Sequence, residues 1–229
     1  MTSIAIALDG LCENELDTRI IARKLDQIDG DFGFKVNLDY FLEHGIFQTL
    51  RNLQGYISPE RFLFADLKMW NGSRTMTQIA QILAGKVDYF NVYALAEKEL
   101  EGVAKAVEGT KTKVLALTVL SHYDDSYCAK WFHKNMRMMV MMTIDMAALY
   151  GCHGVIMPGM MLDTATWPEL IKVATGIRPS WYKDDRHEHV ITPAEAKKNG
   201  ADMIVVGSPI MNAGDPVEAL RKILDEIKE

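Results

Sequence analysis

Eight short apolar runs, each set off from the next by a helical or polar stretch, recur along the 229-residue chain from end to end. Residues 3–8, 32–36, 61–65, 87–92, 113–119, 154–157, 170–174 and 203–206 have the length and apolar continuity of strands covered on both faces. Between them, residues 13–28, 38–53, 75–83, 97–107, 135–150 and 216–227 have helical character, as in Leu16, Ile20, Ile21 and Leu25. Residues 121–134 read as an insertion. Thr192-Pro193-Ala194-Glu195 places a hydroxyl at an N-cap, Pro at the first helical position and Glu at the third, and Asn199-Gly200 supplies the stop. Eight such units without a linker or low-complexity segment predict one α/β domain over residues 1–229, a (β/α)8 TIM barrel. A doubly wound open sheet is the alternative; the eight regular units and the lack of a Gly-rich dinucleotide turn count against it.

A composition of 48% hydrophobic and 24% charged residues suits one large core rather than a disordered chain. The net charge of −6 argues against a nucleic-acid-binding surface, yet leaves room for a small anion held by a local basic cluster. Cys12, Cys128 and Cys152 are odd in number and lack metal-ligand spacing, which fits a reducing compartment. Met1-Thr2-Ser3 leads straight into the first run without a basic leader, and no run reaches the roughly 18 apolar residues of a membrane span. The expectation is a cytoplasmic protein without membrane or nucleic-acid partners. Met136, Met138, Met139, Met141, Met142 and Met146 fall on one helix and read as flexible core filler, with a dimer face or partner groove as the other reading.

The chemistry is placed at Phe62-Leu63-Phe64-Ala65-Asp66-Leu67-Lys68-Met69-Trp70-Asn71. On extended backbone, residues two apart share a face, so Asp66 and Lys68 leave the end of a buried strand side by side. Opposite charges are costly to desolvate without a partner or a purpose, so the pair is either a salt bridge stapling a strand end or part of a site. Asp9 ends the first run and Lys35 lies near the end of the second. In a barrel, catalytic groups collect at the C-terminal ends of strands, and two carboxylates with two ammoniums at one mouth favour a working site. His187, Glu188 and His189 lack helical ligand spacing and a third ligand, so they read as a polar loop and no metal is assigned. Trp181 and Tyr182 either stack on a base or cap the mouth, and His122 is a pocket residue without a catalytic role.

The chain resembles the orotidine 5′-phosphate decarboxylase family over nearly its whole length. The likeness rests on Ala7-Leu8-Asp9, Phe34-Lys35-Val36 and Asp66-x-Lys68, on Leu120-Ser121-His122 and Thr175-Gly176-Ile177-Arg178, on Thr192-Pro193-Ala194-Glu195-Ala196, and on the stretch from Gly200-Ala201-Asp202 to Gly207-x-Pro209-Ile210. The resemblance implies conversion of orotidine 5′-monophosphate to UMP in pyrimidine biosynthesis, by a carboxy-lyase that needs no cofactor. Lys68 would protonate C6 as carbon dioxide leaves, with Asp66 beside the departing carboxylate. Lys35 would hold the charge array and contact the ribose, Asp9 would contact ribose hydroxyls, and Ser121 would touch the pyrimidine. Thr75 would reach the neighbouring site across a homodimer interface.

Three positions depart from the family pattern. Asn71 stands where the family has the last Asp of Asp-x-Lys-x-x-Asp, a residue that completes the partner's site. Ser208 stands where the family has a phosphate-gripping Arg, leaving a hydroxyl and the backbone near Gly207. The family's phosphate-contacting Gln has Ser180 as its nearest counterpart, and Arg178, Lys183 or Arg186 would replace the lost charge. These departures keep two alternatives open. One is a related enzyme acting on a different or unphosphorylated substrate, including the Mg²⁺-dependent keto-gulonate-phosphate and hexulose-phosphate relatives. Those carry an acidic ligand near the end of strand two, where this chain has Lys35. The other is a nucleotide-binding homologue without catalysis.

Overall fold

The computed structural model describes residues 2–182 and 190–228. Eight parallel strands close a barrel in chain order: β1 (Ser3–Ala7), β2 (Phe32–Asn37), β3 (Leu63–Met69), β4 (Tyr89–Tyr93), β5 (Lys113–Leu117), β6 (Gly154–Pro158), β7 (Ile171–Thr175) and β8 (Met203–Val206), with β8 paired to β1. Around it run α1 (Glu15–Asp26), α2 (Leu38–His44), α3 (Ile46–Gln54), α4 (Ser73–Leu83), α5 (Glu99–Ala106), α6 (Asp125–Phe132), α7 (Met136–Leu149), α8 (Pro193–Lys198), α9 (Ser208–Met211) and α10 (Pro216–Glu226). Among the described residues no helix is long and apolar enough to cross a membrane.

Strand periodicity divides the apolar residues into two cores. Ile4, Ile6, Phe34, Val36, Phe90 and Val92 belong to the layer between barrel and helices. Ala5, Phe64, Leu115, Leu117, Ile156, Val173 and Met203 form the separate interior core, with Phe62, Tyr89 and Tyr93 packed against it. This narrow interior holds large aromatics only because small residues face them. A Cβ on Gly33 would lie 2.2 Å from the Phe62 carbonyl oxygen and 2.4 Å from its ring, and one on Gly154 would lie 2.5 Å from the Ile171 carbonyl oxygen.

Several element boundaries differ from the sequence expectation. The helix expected over residues 38–53 is two helices, because Gly45 takes a φ of 69° between α2 and α3. The stretch 121–134 contains α6, whose N-cap Asp124 accepts a hydrogen bond from the Tyr127 amide. The third strand runs to Met69, so Asp66 and Lys68 lie inside it rather than beyond its end. The Thr192–Glu195 capping box forms as the sequence indicates. On α7, Met136 and Met139 are buried core, Met142 and Met146 are half-buried, and Met138 and Met141 face solvent. Lys183, Arg186, His187, Glu188 and His189 lie outside the described residues.

Gly33→Ala should lower stability by about 1–3 kcal/mol, as overpacking of a filled core does. In a chain of this size that corresponds to melting roughly 2–10 °C earlier. Gly214→Ala, where an added Cβ meets nothing within 4 Å, should leave the melting temperature unchanged in the same calorimetric scan.

Candidate active site

The inward positions of β2 and β3 alternate from filler to charge as the strands rise. Gly33 and Phe62 sit low, Lys35 and Phe64 come next, and Asn37 is paired in register with Asp66. The Lys35 ammonium therefore lies under the mouth, buried, 2.8 Å from Asp66 Oδ2 and 3.2 Å from Asp9 Oδ1. It also donates to Asn37 Oδ1, while Asn37 Nδ2 donates to Asp9 Oδ1 at 3.0 Å. Lys68 Nζ donates to Asp66 Oδ1 at 2.6 Å, and Asn91 Nδ2 donates to the same oxygen at 2.7 Å. Asp66 is thus a buried carboxylate with charge-assisted bonds on both oxygens.

Burial pushes the Asp66 carboxyl upward, but the Lys35 and Lys68 ammoniums beside it outweigh that and hold it at about 2. Burial pulls Lys35 down, and Asp66 and then Asp9 outweigh it, so the ammonium is retained above its usual range. Tyr93, inward-facing on β4, is raised by burial and then by Asp66 and Tyr127. At neutral pH Asp66 is therefore an ionised carboxylate beside the Lys35 ammonium, with Lys68 on its other oxygen and Asp9 beside Lys35.

Two cavities meet above this array and share Lys35, Thr175 and Val205. The smaller, about 130 Å³, has Lys68, Asp66, Asn91 and Ser121 on its polar side and Phe64, Leu117, Val119, Leu120 and Ile156 on its apolar side. The larger, about 740 Å³, is lined by Asp9, Arg178, Gly207 and Ser208 and by the carboxylates Glu13 and Asp17. Lys68 is 39% exposed, enough to present an acidic N–H to a bound molecule while Asp66 fixes its direction. An ammonium at the edge of an apolar pocket stabilises negative charge developing there and supplies a proton to it.

Among the residues singled out from sequence, Asp9, Lys35, Asp66, Lys68, Ser121, Arg178, Gly207 and Ser208 line these two cavities. Three do not. Asn71 is exposed, its side-chain oxygen accepting from the Gly72 amide at 2.7 Å; Thr75 is exposed on the first turn of α4; and Ser180 is exposed beyond β7. Arg178 Nη1 donates to the Ile177 carbonyl at 2.9 Å and its guanidinium lies 5.9 Å from the centre of the Tyr182 ring. Trp181 is 5.8 Å from the Lys222 ammonium of α10. His122 is exposed and lines neither cavity. Sequence reasoning passed over Asn37 and Asn91. The available signal was a polar residue at an inward position of an otherwise apolar run, as in Tyr89-Phe90-Asn91-Val92-Tyr93.

Residues 2–223 match the family described as orotidine 5′-phosphate decarboxylase / HUMPS. The orotidine 5′-phosphate decarboxylase of Trichlorobacter lovleyi is 32% identical over an alignment of 238 positions, covering 98% of this chain and 94% of the relative. That of Geobacter sulfurreducens is 31% identical over 208 positions, covering 85% and 84%. Among solved structures, the orotidine 5′-phosphate decarboxylase of Lactobacillus acidophilus superposes with a TM-score of 0.78 at 25% identity, covering 100% of both chains. With its array of alternating charges at the mouth of a closed barrel, the chain belongs to the orotidine 5′-phosphate decarboxylase / HUMPS family.

Proposed function

We propose that the protein decarboxylates orotidine 5′-monophosphate to UMP, a step of pyrimidine biosynthesis in the cytoplasm, with Lys68 as proton donor. The observation that carries this reading is the Lys68 ammonium, tied to Asp66 at 2.6 Å and lining an apolar-walled cavity. In the reaction the bond between C6 and the carboxylate carbon breaks, carbon dioxide leaves, and the electron pair stays on C6. Lys68 gives its proton to C6 and regains one from solvent. The carbanion has no ring electron sink, so an ammonium aimed at it lowers the barrier more than it stabilises the delocalised carboxylate. Asp66, ionised and buried, repels the substrate carboxylate and favours its departure.

The smaller cavity takes the pyrimidine, with Ser121 at its edge, and the larger takes the ribose 5′-phosphate, with Asp9 and Lys35 toward the sugar. Arg178, Ser208 and the backbone at Gly207 stand at the phosphate end, and Ser180 lies farther out. The Mg²⁺-dependent branch of the family is less well supported. Lys35 stands where that branch has an acidic ligand, and its ammonium lies within 3.2 Å of the Asp9 and Asp66 carboxylates. The working unit is a homodimer in which the exposed Asn71 and Thr75 serve the neighbouring site.

Purified protein should consume orotidylate absorbance at a rate indifferent to EDTA and added Mg²⁺. Lys68→Ala should lower kcat by at least about 100-fold, the lower end of what a positioned proton donor contributes. Wild-type turnover by that variant would remove Lys68 from the reaction. Ser208→Arg, by restoring a charged donor worth about 1.5–3 kcal/mol, should lower KM for the nucleotide about 10- to 100-fold and leave KM for unphosphorylated orotidine unchanged. Sedimentation velocity at micromolar concentration should return a dimer; a fully active monomer would rule out the roles given to Asn71 and Thr75.

A further inference from the structure

Pairing between β3 and β4 is irregular where the chemistry lies. Ala65 pairs with Phe90 and Met69 with Val92, so three residues of β3, Asp66, Leu67 and Lys68, face the single β4 residue Asn91. The surplus backbone bulges, and Lys68 takes a φ of 45°, a conformation that side-chain-bearing residues rarely adopt. The bulge interrupts the ladder at the Lys68 amide, and the side chain of Asn91 takes over that role.

Asn91 is 2% exposed, on the inward face of β4. Its Oδ1 accepts the Lys68 backbone N–H at 2.6 Å, and its Nδ2 donates to Asp66 Oδ1 at 2.7 Å. That oxygen also accepts from Lys68 Nζ at 2.6 Å. The three residues thus close a hydrogen-bonded ring that grips Lys68 at both ends, its backbone amide and its ammonium. An amide is the group suited to this position. Leucine of similar size could bond neither partner, and aspartate would accept from the Lys68 amide but set a second carboxylate against Asp66.

We propose that Asn91 is a positioning residue for the reaction: it locks the bulge of β3 so that the Lys68 ammonium is held on Asp66 and aimed into the smaller cavity. The inference rests on the reading of Lys68 as proton donor. Asn91 lines the smaller cavity, but both polar atoms of its side chain are engaged by Lys68 and Asp66, and the apolar walls and the larger cavity supply the other contacts that hold the substrate. Its loss is therefore felt in kcat rather than in ground-state binding.

The test uses Asn91→Ala and Asn91→Asp in the full chain, measuring kcat, KM for orotidine 5′-monophosphate and calorimetric affinity for UMP. Asn91→Ala should lose about 100-fold in kcat, the size of effect expected from misplacing a catalytic group by about 1 Å, with KM and UMP affinity within about threefold of wild type. Asn91→Asp keeps the volume and the acceptor but not the donor, and should lose at least as much. It also keeps the test alive if the alanine variant does not fold. Wild-type kcat in Asn91→Asp would mean that Asn91 merely fills space, and a loss shared equally by kcat and UMP affinity would make it a general structural residue. Either result overturns the proposal. Crystal structures of the variants give a readout independent of turnover: Lys68 should leave the positive-φ region and its ammonium should part from Asp66. An unchanged Lys68 would refute the assignment even if the wild-type protein proved inactive on orotidylate, a result that would by itself sink only the functional reading.

Discussion

The burial of one carboxylate governs the top of this barrel. Asp66 is taken out of water by its place inside β3, and a charge so placed must be neutralised locally. Lys35 and Lys68 do this from β2 and β3, and Asn91 adds an uncharged hydrogen bond from β4. Removing one member of such a buried pair generally costs about 3–5 kcal/mol, because the remaining charge stays desolvated. The arrangement that satisfies Asp66 thereby fixes the direction of the Lys68 ammonium, and stability and reactivity draw on the same bonds.

The barrel interior makes that burial possible. Its lower part is an apolar plug, where Phe62, Phe64 and Tyr89 are accommodated opposite Ala5 and Gly33. The plug fills the barrel beneath the charged array, and the two cavities lie above it. One strand periodicity yields both halves: Gly33 and Lys35 are consecutive inward positions of β2, and Phe64 and Asp66 are consecutive inward positions of β3. A one-residue slip of either strand would turn its charge toward the helices and a large apolar side chain into the mouth.

Much of this was legible in the chain. Alternating apolar runs and helical periods imposed the closed barrel, and charges at the ends of the first three runs marked the mouth before any distance was known. Asp66 and Lys68 were expected side by side from their spacing, and their charged atoms lie 2.6 Å apart. The spacing argument nevertheless assumed regular extended backbone, whereas Lys68 has a φ of 45° in a bulge. A bulge arises from how two strands pair, and neither strand encodes it alone. Asn37 and Asn91 were passed over for a related reason. An amide in a strand carries no charge signature, and its importance appears only when a neighbouring strand supplies the groups it bridges. Gly45 was visible in the sequence, but whether a glycine continues or breaks a helix depends on the turn the fold requires there.

Two departures from the family pattern, Asn71 and Ser208, fall outside the charge array built around the buried Asp66 and Lys35. Asp9, Lys35, Asp66 and Lys68 remain joined by bonds of 2.6–3.2 Å, whereas Asn71 is on the exposed surface and Ser208 lines the wider cavity. Charge removed from a buried network changes the ionisation of every member, because the low dielectric offers no substitute. Charge removed from a wet surface or an open cavity is partly replaced by water and ions. Under the proposed function, the two substitutions therefore bear first on how a phosphate would be gripped and on what a second subunit would supply. In that reading, the step that requires a directed ammonium depends instead on the intact array beneath them.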